Sequence, residues 1–194
     1  MKNALAVIAA LIAMLSTVPY LIDIVKGKTK PNIVSWFTWT LLTVIASAAA
    51  FYDNSPKTGL LLAGSSICTG AVVILGLKFG IAKMSKFDGL CQLGAVLGLI
   101  LWLIYGTPEI AIIFTIVIDF IVVLPTLHHI WLKPGEETWQ TFAVGSFAAL
   151  LTVISLTSYT ISGLAFPLYL TIINFILASL ILSRRKVLHT KGVE

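Results

Sequence analysis

Asp119 and Asn174 are the residues of this chain whose type and setting could do chemistry. Asp119 stands near the middle of a long apolar run, about ten residues from either end. An ionised carboxylate at such a depth costs about 2.5–3.5 kcal/mol on insertion scales, so it should face an interior, a cavity or a partner. One reading is a solute-binding or proton-carrying acid; the other is a hydrogen-bonded Asp that braces two helices. Thr115 lies one turn earlier on the same face. Asn174 and Thr171 are likewise one turn apart in a later run. The Asn amide offers both donors and acceptors, which suits hydroxyl-rich or zwitterionic solutes, and it could equally serve an interhelical hydrogen bond.

Aromatic residues recur beside these candidates. Trp36, Trp39 and Thr43 fall at helical spacing, and Trp139, Phe142 and Ser146 repeat the pattern. A flat ring can stack on a sugar face or a cation. Trp36 and Trp139 begin their apolar runs, where tryptophans serve as interfacial anchors. Trp39 and Phe142 lie a turn deeper and are the better candidates for solute contact. Pro19, Pro125 and Pro167 remove helical hydrogen bonds within apolar runs, giving hinges for a rocking motion or static curvature. Asp23 follows Pro19 by one turn, and His129 occupies the corresponding place after Pro125. These two could form a gate at one membrane face or be solvated there. His128 and His129 are adjacent and face different ways on a helix, so no metal site is expected. No nucleophile, base and orienting acid fall together and no phosphate loop is present, so neither an enzyme nor a cofactor is expected.

The elements that carry these residues follow from composition. The chain has 194 residues, 58% hydrophobic and 11% charged, with mean hydropathy +1.02. Charged clusters cut it into seven apolar runs at about 4–25, 33–51, 58–78, 89–106, 109–131, 138–157 and 163–183. Each approaches the ~20 residues a helix needs to cross a bilayer, and the alternation of a barrel strand is missing. The reading is one all-α integral membrane domain over residues 1–194. The segment Lys2–Leu15 could pass for a signal peptide, but no small-residue cleavage site follows, and it is read as a retained helix. Cys68 and Cys91 sit in apolar runs and are read as small apolar-compatible residues rather than a disulfide. Gly94 and Gly98 read as helix packing.

With the N-terminus outside, eleven basic residues (Lys26, Lys28, Lys30, Lys78, Lys83, Lys86, Lys133, Arg184, Arg185, Lys186, Lys191) fall inside. Only Lys2 and Lys57 fall outside. That bias predicts a cytoplasmic C-terminus in the plasma or inner membrane. The basic balance thus reports topology and contact with anionic lipid, and nucleic acid is not an expected partner.

Pro31-x4-Trp36-x-Thr38-Trp39 is echoed by Pro134-x4-Trp139-x-Thr141-Phe142, each after an apolar run with a proline near its end (Pro19, Pro125). The offset is 106 residues at Pro19 and Pro125, and 103 at the tryptophans. The echo predicts two three-helix repeats, over residues 1–80 and 108–186, joined by a linker helix at 88–106. Four crossings separate the two loops, so the copies are expected to be parallel, in a 3+1+3 plan.

This plan resembles the SWEET and PQ-loop family of transporters. The resemblance is carried by Pro19-x5-Val25-Lys26-Gly27-Lys28-Thr29 leading to Ser35-Trp36, and by Pro125-x5-Trp131-x-Lys133 leading to Thr138-Trp139. The residue after each proline is Tyr20 or Thr126 rather than glutamine. The family resemblance implies that Asn174 faces substrate from the third helix of its unit. Its counterpart at the same 106 offset is Cys68, flanked by Ser65, Ser66 and Thr69. The expected function is transport of a small polar solute, sugar-like or amino-acid-like, by alternating access through a cavity between the repeats. Asn174, Asp119, Trp39, Phe142, Thr171, Ser66 and Cys68 would contact it, with proton coupling through Asp119. Lipids are expected partners, and a homo-oligomer is compatible with the plan. The alternative is a non-transporting receptor, sorting or lipid-binding protein on the same fold.

Overall fold

The computed structural model describes residues 2–29, 31, 33–79, 86–105 and 107–190. Lys30, Lys83 and Lys191 of the charge count lie outside the described residues, and of Cys91, Gly98 and Pro125 only the backbone is described. The chain is all helical, with no strand among the described residues.

The first apolar run forms α1 (Lys2–Ser16) and α2 (Val18–Val25), parted at Thr17. Pro19 causes the break: it has no N–H to give Leu15, so the ladder shortens to Thr17 N–H on the Met14 carbonyl, 3.3 Å. α2 ends where Gly27 takes φ +70°. There the Lys28 N–H bonds the Asp23 carbonyl (2.9 Å) and the Gly27 N–H bonds that of Ile24 (2.9 Å), a Schellman cap that needs a left-handed residue. The second run is α3 (Ile33–Tyr52). It closes in the same manner with Asn54 at φ 53°, the commonest non-glycine in that role. Then come α4 (Pro56–Phe79), α5 (Lys86–Tyr105), α6 (Pro108–Leu132), a 3-10 turn at Pro134–Glu136, α7 (Trp139–Ser155) and α8 (Ile161–Thr190). Every expected run is helical, with ends within a few residues of the charge clusters.

Five segments are long and apolar enough to cross a membrane: Lys2–Val25, Ser35–Tyr52, Pro56–Phe79, Ile112–Leu132 and Ile161–Leu188. α7 is apolar but shorter, at 17 residues, and α5 is not among the five. The seven expected spans therefore exceed what length and composition establish among the described residues.

The packing has an internal symmetry. α3 lies along α4 as α7 lies along α8, and α1 meets α4 as α6 meets α8. Between these sets, α1 packs on α7 and α3 packs on α6. Exchanging α1–α4 for α6–α8 maps each of these neighbour pairs onto another, and α5 stands beside α6 and α3. The two Pro-Trp loops meet at one end, where the Thr29 and Thr138 hydroxyls are 3.1 Å apart.

Small residues permit the close approaches. Ala6, Ala9, Ala10 and Ala13 make one buried stripe along α1. A methyl group at Gly64 of α4 would come within 3.1 Å of Met14 on that helix. Ala46, Ala49 and Ala50 do the same for α3 within the cluster holding Leu62, Ile112 and Phe166. Large apolar side chains such as Leu15, Ile74, Leu103 and Phe175 point outward instead. Lipid tails are as apolar as leucine, so association here depends on van der Waals fit rather than on escape from water. Overpacking such a seam costs about 1–3 kcal/mol. Ala49→Leu should therefore lower the melting temperature of the purified protein in micelles, whereas Val7→Leu on the outer face of α1 should leave it unchanged.

Candidate functional site

A cavity of about 130 Å³ lies between the two helix sets. α1 and the α1–α2 joint contribute Ala13, Ser16 and Thr17; α3 contributes Trp36, Trp39 and Thr43; α4 contributes Leu61, Ser65 and Thr69. Across from them stand Asp119 and Val123 of α6, then Thr141, Phe142 and Gly145 of α7, with Ile173, Asn174 and Leu177 of α8. α5 contributes nothing to the described lining.

Four of the residues expected to touch solute line this cavity: Asn174, Asp119, Trp39 and Phe142. Three do not. Ser66 donates to the Thr43 hydroxyl at 3.0 Å and to the Leu62 carbonyl at 2.8 Å. Cys68 is buried, with its Sγ 3.4 Å from the Met14 carbonyl. Thr171 turns its hydroxyl onto the Pro167 carbonyl at 2.8 Å. Within α4, Ser65 and Thr69 face the cavity in their place.

Asp119 is buried, and the Tyr169 hydroxyl donates to its Oδ2 at 2.5 Å. Tyr169 escaped the sequence reading because a lone tyrosine in an apolar helix reads as packing, and only folding brings α8 to α6. Two buried polar groups of lining residues have no hydrogen-bond partner among the described residues. The Trp39 Nε1–H and the Thr141 Oγ1 are enclosed without a partner. Asn174 of α8 lines the same cavity beside Gly145. Buried polar groups are almost always satisfied, so two lining residues that each carry an unpartnered one mark a place for a polar ligand. Thr141 could have been found from the repeat, since it recurs with Thr38 in the Pro-Trp motif.

Trp36 departs from its expected role as an interfacial anchor. It is only 7% exposed, and its Nε1–H donates to the Tyr20 hydroxyl at 3.3 Å. Its ring sits 4.7 Å from that of Tyr20 and edge-on to Trp39 at 5.1 Å. A cation–aromatic pair lies outside: the Arg184 guanidinium stacks 4.1 Å over the exposed Trp131 ring.

Both ends of the cavity are tied across the two helix sets. At the loop end the Thr138 hydroxyl donates to Asp23 Oδ2 at 2.9 Å, and Tyr20 hydrogen-bonds the Glu137 carboxyl. Asp23 and His129 do not pair with each other; His129 lies 3.2 Å from Glu136 instead. Arg185 fixes this loop through the Pro134 and Glu137 carbonyls at 3.0 and 2.6 Å. At the other end Lys2 and Lys57 donate to the Leu156 and Ser155 carbonyls, at 2.7 and 2.5 Å. Ser162 bonds Asp53 there. Thr58 donates at 2.7 Å to the Gly163 carbonyl, the acceptor left free because Pro167 has no N–H. The hinge candidates thus differ: Pro19 breaks its helix, while α6 and α8 run on through Pro125 and Pro167. No group of three His, Cys, Asp or Glu that could hold a metal occurs among the described residues.

Compared with known proteins, the chain matches no family model, no curated protein and no solved structure.

Burial pushes the Glu137 carboxyl up to about 7, with Glu136 adding to the rise and the Tyr20 hydroxyl opposing it. The unfolded group keeps its ordinary value of 4.5, so between there and about 7 the folded state holds the extra proton. Stability from this group is therefore fullest below pH 4.5 and declines as pH climbs to about 7. Glu137→Gln should flatten that decline, melting higher than the parent at pH 8 and level with it at pH 4.5. Melting curves in micelles across this range check it.

Proposed function

We propose that this protein carries a small polar solute across a membrane by alternating access, through the cavity between its two helix sets. The first set is α1–α4 and the second α6–α8, parallel to one another, with α5 as the linking seventh span. The basic loops lie on the cytoplasmic side, as the positive-inside bias indicates. One observation carries the reading: Trp39 and Thr141, each with a buried polar atom that lacks a hydrogen-bond partner, line a single space together with Asn174 and Asp119. A bundle held only for structure would satisfy or omit such groups, because each is costly to bury unpaired.

The tied ends supply the alternation. A solute enters when one set of bonds parts, either Tyr20–Glu137 and Asp23–Thr138 at the loops or the Lys2, Lys57 and Ser162 contacts opposite. The break at Pro19 lets α2 tilt against α1 when the loop end opens. The site takes its substrate between the sets because every cavity-lining helix belongs to one set or the other. Asp119 is where solute movement couples to protons, being the one ionisable side chain in the described lining.

Proteoliposomes test this with labelled sugars, amino acids and small amines. Saturable uptake of at least one is expected, and Asn174→Ala should weaken its half-saturation about tenfold or more, the effect of losing one hydrogen bond to a polar ligand. Asp119→Asn should abolish uptake driven by a proton gradient. Binding without flux would make the protein a receptor on this plan, and flux untouched by Asn174→Ala would take the site elsewhere.

A further inference from the structure

On the basis of the carrier reading, we infer that the cavity takes a compact ammonium compound bearing one acceptor oxygen, its cation against Asp119 and its oxygen against Trp39 and Thr141. Four features of the lining agree. Asp119 is its sole ionisable side chain, and no Lys, Arg or His stands in the described lining to balance it. Tyr169 gives the carboxylate a hydrogen bond but no charge. The other carboxylates near the bundle interior, Asp23 and Glu137, are held at the loop end by Thr138 and Tyr20.

Aromatic surface surrounds the same space. Trp36, Trp39 and Phe142 line it, with Trp39 set edge-on to Trp36 at 5.1 Å. Ring faces attract ammonium groups, and more strongly when water is excluded. Opposite chemistry is offered by the indole N–H of Trp39, which can only donate, and by the unpartnered hydroxyl of Thr141, 7% exposed. One end of the ligand therefore donates and is positive, and the other accepts.

Size completes the argument. The cavity of about 130 Å³ is close to an engineered cavity of ~150 Å³ that holds benzene, which suits a compact solute. Charge also stays balanced over a cycle. When the ammonium leaves, a proton from the water on the open side takes its place on the carboxylate. When ammonium returns, that proton goes back to water.

Ethanolamine, glycerol and glucose are the probes, measured by calorimetric titration on the full-length protein in micelles. Ethanolamine should bind, with glycerol and glucose weaker by at least tenfold. Asp119→Asn should abolish ethanolamine binding. Trp39→Phe, which keeps a ring and removes the N–H, should weaken it about tenfold. Tyr169→Phe retains the carboxylate and should still bind, which separates lost charge from a disrupted fold. Equal binding of glycerol or glucose, persistence in Asp119→Asn, or no ethanolamine binding overturns the inference. Saturable glucose flux without ethanolamine binding would leave the carrier standing and remove the cation. Ethanolamine held at Asp119 without any flux would do the reverse.

Discussion

A carboxylate inside an apolar bundle needs a donor, and the contact between Asp119 and the Tyr169 hydroxyl meets that need. In hydrocarbon the helices consume their own backbone groups, so polar side chains are the only ones left to seek partners. They cannot turn outward, where Leu15, Ile74, Leu103 and Phe175 meet the surroundings. They converge inward instead. Some, such as Ser66 and Thr171, close onto backbone carbonyls, while Asp119, Asn174, Thr141, Ser16 and Ser65 line one shared cavity.

Trp39 stands at the centre of this arrangement. It packs against the cluster of Leu42, Ile118 and Val122, against that of Tyr20, Ile24 and Val72, and against that of Phe142, Ile173 and Leu177. It therefore touches both helix sets and lines the space between them. The neighbour relations are symmetric, but the chemistry is not. Asp119 lines the cavity from α6, and Ala13 lines it from α1. Similar helix neighbours supply the walls, and single residues on one side give the space its polarity.

The helices were legible from charge clusters and apolar runs, because a chain this apolar breaks only where polar residues allow it. Asp119, Asn174, Trp39 and Phe142 were legible too, since a polar or aromatic residue deep in such a run has to face inward. What the sequence could not supply was helix rotation. Matching Asn174 to Cys68 by the proline offset points one residue away from Thr69, which faces the cavity. One residue turns a side chain by about 100°, enough to exchange cavity for helix seam. Tyr169 and Glu137 were missed for another reason: their partners, Asp119 and Tyr20, are distant in sequence. Trp36 was assigned to the interface by its place at a helix start, yet Tyr20 draws its N–H inward.

The central claim is that two helix sets, joined across both ends, must part at one end for solute to reach the shared cavity. Thr29 and Thr138 face each other across the loop end, 3.1 Å between hydroxyl oxygens. The decisive measurement is solute flux through a Thr29→Cys, Thr138→Cys double variant, made with Cys68 and Cys91 replaced by alanine, before and after oxidation. The account predicts that the disulfide forms, that flux stops, and that reduction restores it. Undiminished flux through the cross-linked protein, or labelling of the two cysteines from opposite sides of the membrane, would contradict it.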